Sequence, residues 1–190
     1  MISKQKKSHR TGFTLIETVI VVALSVSMLI SIILLISSFT TSVSYQETFA
    51  QSSGSASAVM REIESFAFPA KAVLTTHTFS SATYTSSSTV LVLEIPSIDD
   101  SGNVIANTYD YTAFYVVGTN AYRLLEASAL SKRFSGTKQL STTVSALTFT
   151  YDNVDLTKAS IVTIDLQTQA YVKQNILSDH RNEQIKLRNY

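Results

Sequence analysis

The chain contains no cysteine and no tryptophan, and only two prolines and five glycines in 190 residues. Without cysteine there is no thiol nucleophile, no cysteine-ligated zinc and no disulfide staple. A chain of this length can build a core that stands without disulfides, so their absence is compatible with export. With so few glycines there is no glycine-rich phosphate loop, and no serine sits in a G-x-S-x-G elbow. His9, His77 and His180 are far apart, and no two share a helix turn as metal ligands would. The expectation is a non-enzymatic protein without metal or cofactor.

Charge is also scarce: 15% of residues are ionised against 45% hydrophobic, more apolar than a soluble domain of this length needs. The few charges are unevenly placed. Residues 1–12 hold Lys4, Lys6, Lys7 and Arg10 and no acid, leaving 11 basic residues against 14 acidic in the remainder. A mildly acidic body gives no reason to expect nucleic-acid affinity, which needs a concentrated basic face.

The apolar excess sits in one run, Phe13 to Ile36, reading FTLIETVIVVALSVSMLISIILLI. Its only ionisable side chain is Glu17, and neither proline falls within it. As a helix it spans roughly 36 Å, enough to cross a hydrocarbon layer of about 30 Å. The basic residues before it keep the N-terminus cytoplasmic and place the body outside. A secretory signal peptide would have a shorter apolar core and a small-x-small site directly after it. The nearest such site, Ala56-Ser57-Ala58, lies far downstream. A plain uncleaved signal anchor remains the simpler alternative.

Glu17 points to something more specific. A carboxyl four residues into an apolar segment costs about 1–3 kcal/mol near the membrane edge and calls for a cation at the same depth. Cleavage between Gly12 and Phe13 would create one, the new α-amine. The first turn makes a poor intramolecular bridge, so a neighbouring chain is the better donor.

Arg10-Thr11-Gly12-Phe13-Thr14-Leu15-Ile16-Glu17 resembles the recognition segment that prepilin peptidase cuts in type IV pilins and type II secretion pseudopilins. By position, the resemblance makes Gly12 the last leader residue, Phe13 the N-methylated mature terminus and Glu17 the assembly carboxylate. It implies as partners prepilin peptidase, other pilins or pseudopilins of one filament, an inner-membrane assembly platform and the lipid bilayer. The chain departs from many members in having no helix-breaking residue between Phe13 and Ile36.

Beyond the run, Phe39, Val43, Phe49, Ala56, Met60, Ile63 and Ala67 recur at helical spacing and predict an apolar stripe packed on a sheet. Gly54 marks a possible bend, and Pro69 ends the helix near Phe68. β-rich runs follow: Thr89–Ile95 closed by Pro96, Tyr109–Val117 turned by Gly118-Thr119-Asn120 into Ala121–Glu126, Ala146–Tyr151, Ile161–Gln167 and a short Ile185–Leu187. The tract Ser80–Thr89 reads as a solvent-exposed loop or an edge strand. Tyr109, Tyr111, Tyr115 and Tyr122 alternate on strands expected to pair, which predicts cross-strand aromatic packing. The turn Asp99–Asn103 and the group Asp152, Asn153 and Asp155 offer oxygen ligands without calcium-loop spacing, and solvated turns explain them as well.

Val144-Ser145-Ala146-Leu147-Thr148-Phe149-Thr150-Tyr151-Asp152, the strand Ser160–Leu166 and the ending Lys186-Leu187-Arg188-Asn189 are similar to segments of larger minor pilins and J-type minor pseudopilins. This second, looser resemblance favours a minor subunit over a major one. The expected architecture is α+β and pilin-like: a leader at 1–12, a membrane half-helix at 13–36, an amphipathic half-helix at 37–68, and an antiparallel β-rich domain at 69–190. The expected function is structural, in a type IV pilus or type II secretion-type filament. Which machine it serves stays open between secretion, twitching and DNA uptake. The alternative is a signal-anchored extracytoplasmic binding protein that never polymerises.

Overall fold

The computed structural model describes residues 14–173 and 175–188. The expected processing residues Gly12 and Phe13, together with His9 and Asn189, lie outside them. The chain divides into two compact units, Met1–Ser44 and Tyr45–Tyr190. One helix, α1 (Leu15–Ala67, 53 residues), contributes to both. It passes Gly54 unbroken and stops where Pro69 requires: Phe68 N–H still donates to the Glu64 carbonyl, then Ala70 N–H closes back on Ala67.

The strands, in order, are β1 (Ala72–Val73), β2 (Thr76–Thr78), β3 (Thr83–Thr85), β4 (Val90–Ile98), β5 (Val104–Val117), β6 (Asn120–Glu126), β7 (Gly136–Ser141), β8 (Val144–Tyr151), β9 (Ile161–Val172) and β10 (Asn175–Lys186), with a 3-10 turn at Leu156–Lys158. They form antiparallel sheets ordered β1-β4-β5-β6-β7 and β10-β9-β8, plus the hairpin β2-β3. The layout is α+β, with a long N-terminal apolar helix whose second half packs on antiparallel sheets.

Alternation along the strands sets the core. Leu91, Leu93 and Ile95 of β4, Phe114 of β5 and Leu125 of β6 face inward from the larger sheet. Leu147 and Phe149 of β8 pair with Leu166 and Ile164 of β9 on the inner face of the smaller one. Between them lies the helix stripe Ser52, Ala56, Val59, Met60, Ile63 and Ala67, fully or almost fully buried. The predicted stripe therefore holds from Ala56 onward and fails before it: Phe39 and Phe49 are 66% and 52% exposed. The stripe begins instead at a serine, because Ser52 Oγ lies 2.9 Å from Thr168 Oγ1, a buried hydroxyl pair that replaces apolar contact.

Two strand expectations change. Pro96 does not close β4, which runs on to Ile98 with a register shift after the proline. The two-residue β1 covers only Leu93 and Glu94, so β4 is an edge strand at Pro96, where proline is tolerated. The last strand is not the short Ile185–Leu187 but the full β10, paired residue for residue with β9. The tract Ser80–Thr89 resolves into β3 and flanking turns, and the β2-β3 hairpin packs Phe79 and Tyr84 over Val92, Ala113 and Leu124 on the outer face of the larger sheet. There Tyr115 and Tyr122 sit opposite each other with ring centroids 5.6 Å apart, and His77 stacks on Tyr111 at 3.9 Å.

One buried acid organises the far end of the larger sheet. The Asp110 carboxylate, fully buried, accepts from Ser97 Oγ (2.7 Å), Ser128 N–H (2.9 Å), Ser131 Oγ (2.7 Å) and Arg133 Nη1 (2.7 Å). Burial pushes its pKa up, but these donors outweigh burial and hold it below the ordinary value. A depressed carboxyl contributes stability above its unfolded pKa and loses it as pH falls through the folded one. Asp110→Asn would leave the Arg133 guanidinium without its counter-ion and is expected to cost about 3–5 kcal/mol. Urea unfolding of the full chain in detergent checks this: the wild type should lose stability below about pH 4 by more than the variant does.

Candidate functional site at the head of the apolar helix

Among the described residues, every side chain from Thr14 to Thr40 is exposed. That stretch of α1 is long and apolar enough to cross a membrane. Three of its serines are satisfied within the helix. Ser25 donates to the Val21 carbonyl (2.7 Å), Ser27 to Leu24 (2.9 Å) and Ser31 to Ser27 (2.9 Å), each back-bonded within the helix. From Val19 to Ile36 the helix satisfies its own backbone and its own serines and so presents a hydrocarbon surface.

The exception is its first turn. Thr14 N–H and Thr14 Oγ1 both donate to Glu17 Oε2, at 2.8 and 2.9 Å, and Glu17 N–H lies 3.4 Å from Thr14 Oγ1. This is a reciprocal capping box: the side chain at the helix start and the acid three residues on each serve the other's backbone N–H. Thr18 completes the turn, its N–H and Oγ1 both directed at the Thr14 carbonyl, at 3.2 and 3.0 Å. The acid also lies at the positive end of the helix dipole, where negative charge is favoured.

Glu17 is therefore not the unpartnered carboxylate that an isolated acid in an apolar run suggests. One oxygen is engaged within its own chain. The other, Oε1, accepts no hydrogen bond from any described residue. Thr14 is the site residue that reading for charge overlooked, although threonine and glutamate three apart before an apolar run is a sequence signature of this motif.

The remaining candidates are spent on local structure. Asp99 Oδ1 accepts from Ser101 N–H (2.9 Å) and Asn103 N–H (2.8 Å), closing its own turn. Asp152 holds Ser160 and Ile161, and Asp155 caps the 3-10 turn. His77 pairs with Glu126 at 3.0 Å and His180 with Asp165 at 2.8 Å. Among the described residues no three His, Cys, Asp or Glu side chains converge as a metal site would require.

No family model, no curated protein and no solved structure matches the chain.

Thr14→Ala removes the capping hydroxyl and is expected to cost about 1 kcal/mol at the helix start, whereas Thr14→Ser keeps it. Amide hydrogen exchange in detergent should show Glu17 N–H exchanging roughly fivefold faster in the alanine variant and unchanged in the serine variant.

Proposed function

We propose that this chain is a structural subunit of a type IV pilus or type II secretion-type filament, of the minor pilin or pseudopilin kind. On this reading prepilin peptidase cuts after Gly12, Phe13 becomes the methylated terminus, and the subunit waits in the cytoplasmic membrane with its body outside. Assembly brings the α-amine of one chain to the Glu17 carboxylate of another within a bundle of apolar helices.

The observation that carries the reading is the half-engaged carboxylate at the head of an otherwise apolar, uncovered helix. A plain signal anchor needs no acid there, and burying one in hydrocarbon has to be compensated. Thr14 fixes one oxygen and leaves the second open to an incoming cation. A long N-terminal apolar helix followed by antiparallel sheets is the element order a pilin-like subunit has, and the exposed Phe39 and Phe49 give it further apolar surface for neighbouring helices.

Intact mass of the membrane form tests processing: the expected species begins at Phe13 and carries one extra methyl group. A retained Met1 leader would overturn the proposal in favour of the signal-anchored protein. Glu17→Leu is expected to insert into the membrane normally yet appear in sheared filaments at about a tenth of the wild-type amount. Wild-type incorporation of that variant would count against the assigned role.

A further inference from the structure

The globular unit carries a concavity that the filament reading does not use. The ladder between β8 and β9 begins at Val144↔Thr168, and β9 runs on to Val172 with only β10 beside it. The notch past the start of β8 is a pocket of about 420 Å³. Thr48 and Gln51 of α1, Thr119 of the β5-β6 turn, Thr142 before β8, and Gln169 and Tyr171 of β9 line it. Its volume is within the ordinary range for small-molecule sites, about 300–1,000 Å³.

The chemistry of this lining is unusual for the molecule. No charged side chain lines it, whereas the concavity between α1 and β10 is lined by Arg61, Glu64, Arg181 and Glu183. Of its eight polar side chains, Thr143 and Ser145 are bonded to Ser141 and to the Gln167 carbonyl, whereas the six named above, four of them solvent-exposed, make no hydrogen bond to any described residue. The surrounding backbone is fixed: Val144 N–H donates to the Thr119 carbonyl (3.0 Å) and Gln169 N–H to the Thr143 carbonyl (2.7 Å). Tyr171 stands 70% exposed on the outer face of β9, opposite Ile176.

We propose that this pocket binds a neutral saccharide. Hydroxyls and carboxamides both donate and accept, which matches a ligand whose own groups are hydroxyls and amides. An anion finds no cation here and a cation no carboxylate, so the cost of desolvating either is not repaid. A purely apolar ligand would strand six polar groups. The Tyr171 ring supplies a flat apolar platform for the C–H face of a pyranose, with its phenol free to bond at the rim. The inference does not rest on the filament reading and stands or falls separately from it.

The test uses the full chain in detergent, titrated with a tetramer of N-acetylglucosamine, maltotetraose, tetragalacturonate and a neutral Ser/Gly/Asn pentapeptide. Saturation-transfer NMR and calorimetry give the readout. At least one neutral tetrasaccharide should bind at ~5 mM or tighter, and Tyr171→Ala and Gln169→Glu should each weaken it about tenfold, with Tyr171→Phe close to wild type. Preference between the two neutral probes reports whether the natural source is an N-acetylated or a plain glycan. Both substituted positions are solvent-accessible, and circular dichroism verifies the fold; should Tyr171→Ala misfold, Gln51→Leu on the helix wall replaces it. No binding of either neutral tetrasaccharide overturns the proposal. So does equal binding of tetragalacturonate or the peptide, or saccharide binding indifferent to these substitutions.

Discussion

The body depends on one contact, the burial of the α1 stripe from Ser52 to Ala67 against both sheets. Neither sheet alone encloses a core: Leu91, Leu93, Ile95 and Phe114 face in from one, Phe149, Ile164 and Leu166 from the other. Val59, Met60 and Ile63 supply the surface on which both close. At Ser52 the helix backbone itself meets β9, its carbonyl 3.3 Å from Thr168 Oγ1, while Ala56, Met60, Ile63 and Ala67 are buried in the common core. Ionic contacts then fix the helix about its axis. Glu62 receives Lys138 Nζ at 2.8 Å and Arg123, whose guanidinium also lies 4.7 Å from the Phe66 ring centre. A helix able to slide or rotate by one residue would lose all of these together.

Buried polar groups do comparable work away from the helix. Asp110 gathers Ser128, Ser131 and Arg133 of the β6-β7 loop and ties them to Ser97 of β4, so a loop without regular structure is held from inside. The inversion is complete enough that Leu130 and Phe134 of this loop face outward, at 69% and 89% exposure. At the surface, the exposed Asp152 closes its own loop by accepting from Ser160 N–H and Oγ, while Val154 stands fully exposed.

Much of the architecture was legible because its signals are local. The helix end at Pro69, the Gly118-Thr119 turn with Gly118 at φ 63°, and the β-rich runs of β4 and β8 each depend on a few adjacent residues. What escaped reading depended on partners distant in sequence. β10 is polar along most of its length, and only its register with β9 identifies it as a strand. β7 is an edge strand with almost no apolar residue, and β2 and β3 are three residues each. Phe39 and Phe49 fit the helical period but stay largely exposed, because periodicity reports which face is apolar and not whether anything covers it. At the site, Glu17 was visible as an anomaly of charge. The role of Thr14 was in the same four residues but required thinking of the acid as a cap.

That cap alters how an assembly step would be driven. On the filament reading, a subunit whose carboxylate is already held by Thr14 does not sit in the bilayer with a naked charge seeking relief. Meeting a neighbour's amine then adds an ionic partner at Oε1 while Thr14 keeps its hold on Oε2, so part of the carboxylate's stabilisation is present beforehand. Lateral encounters alone would then yield few contacts, and a pool of separate subunits could persist in the membrane at appreciable density. Growth of a filament would be governed by whatever machinery presses subunits together, with the threonine acting as a brake against spontaneous clustering.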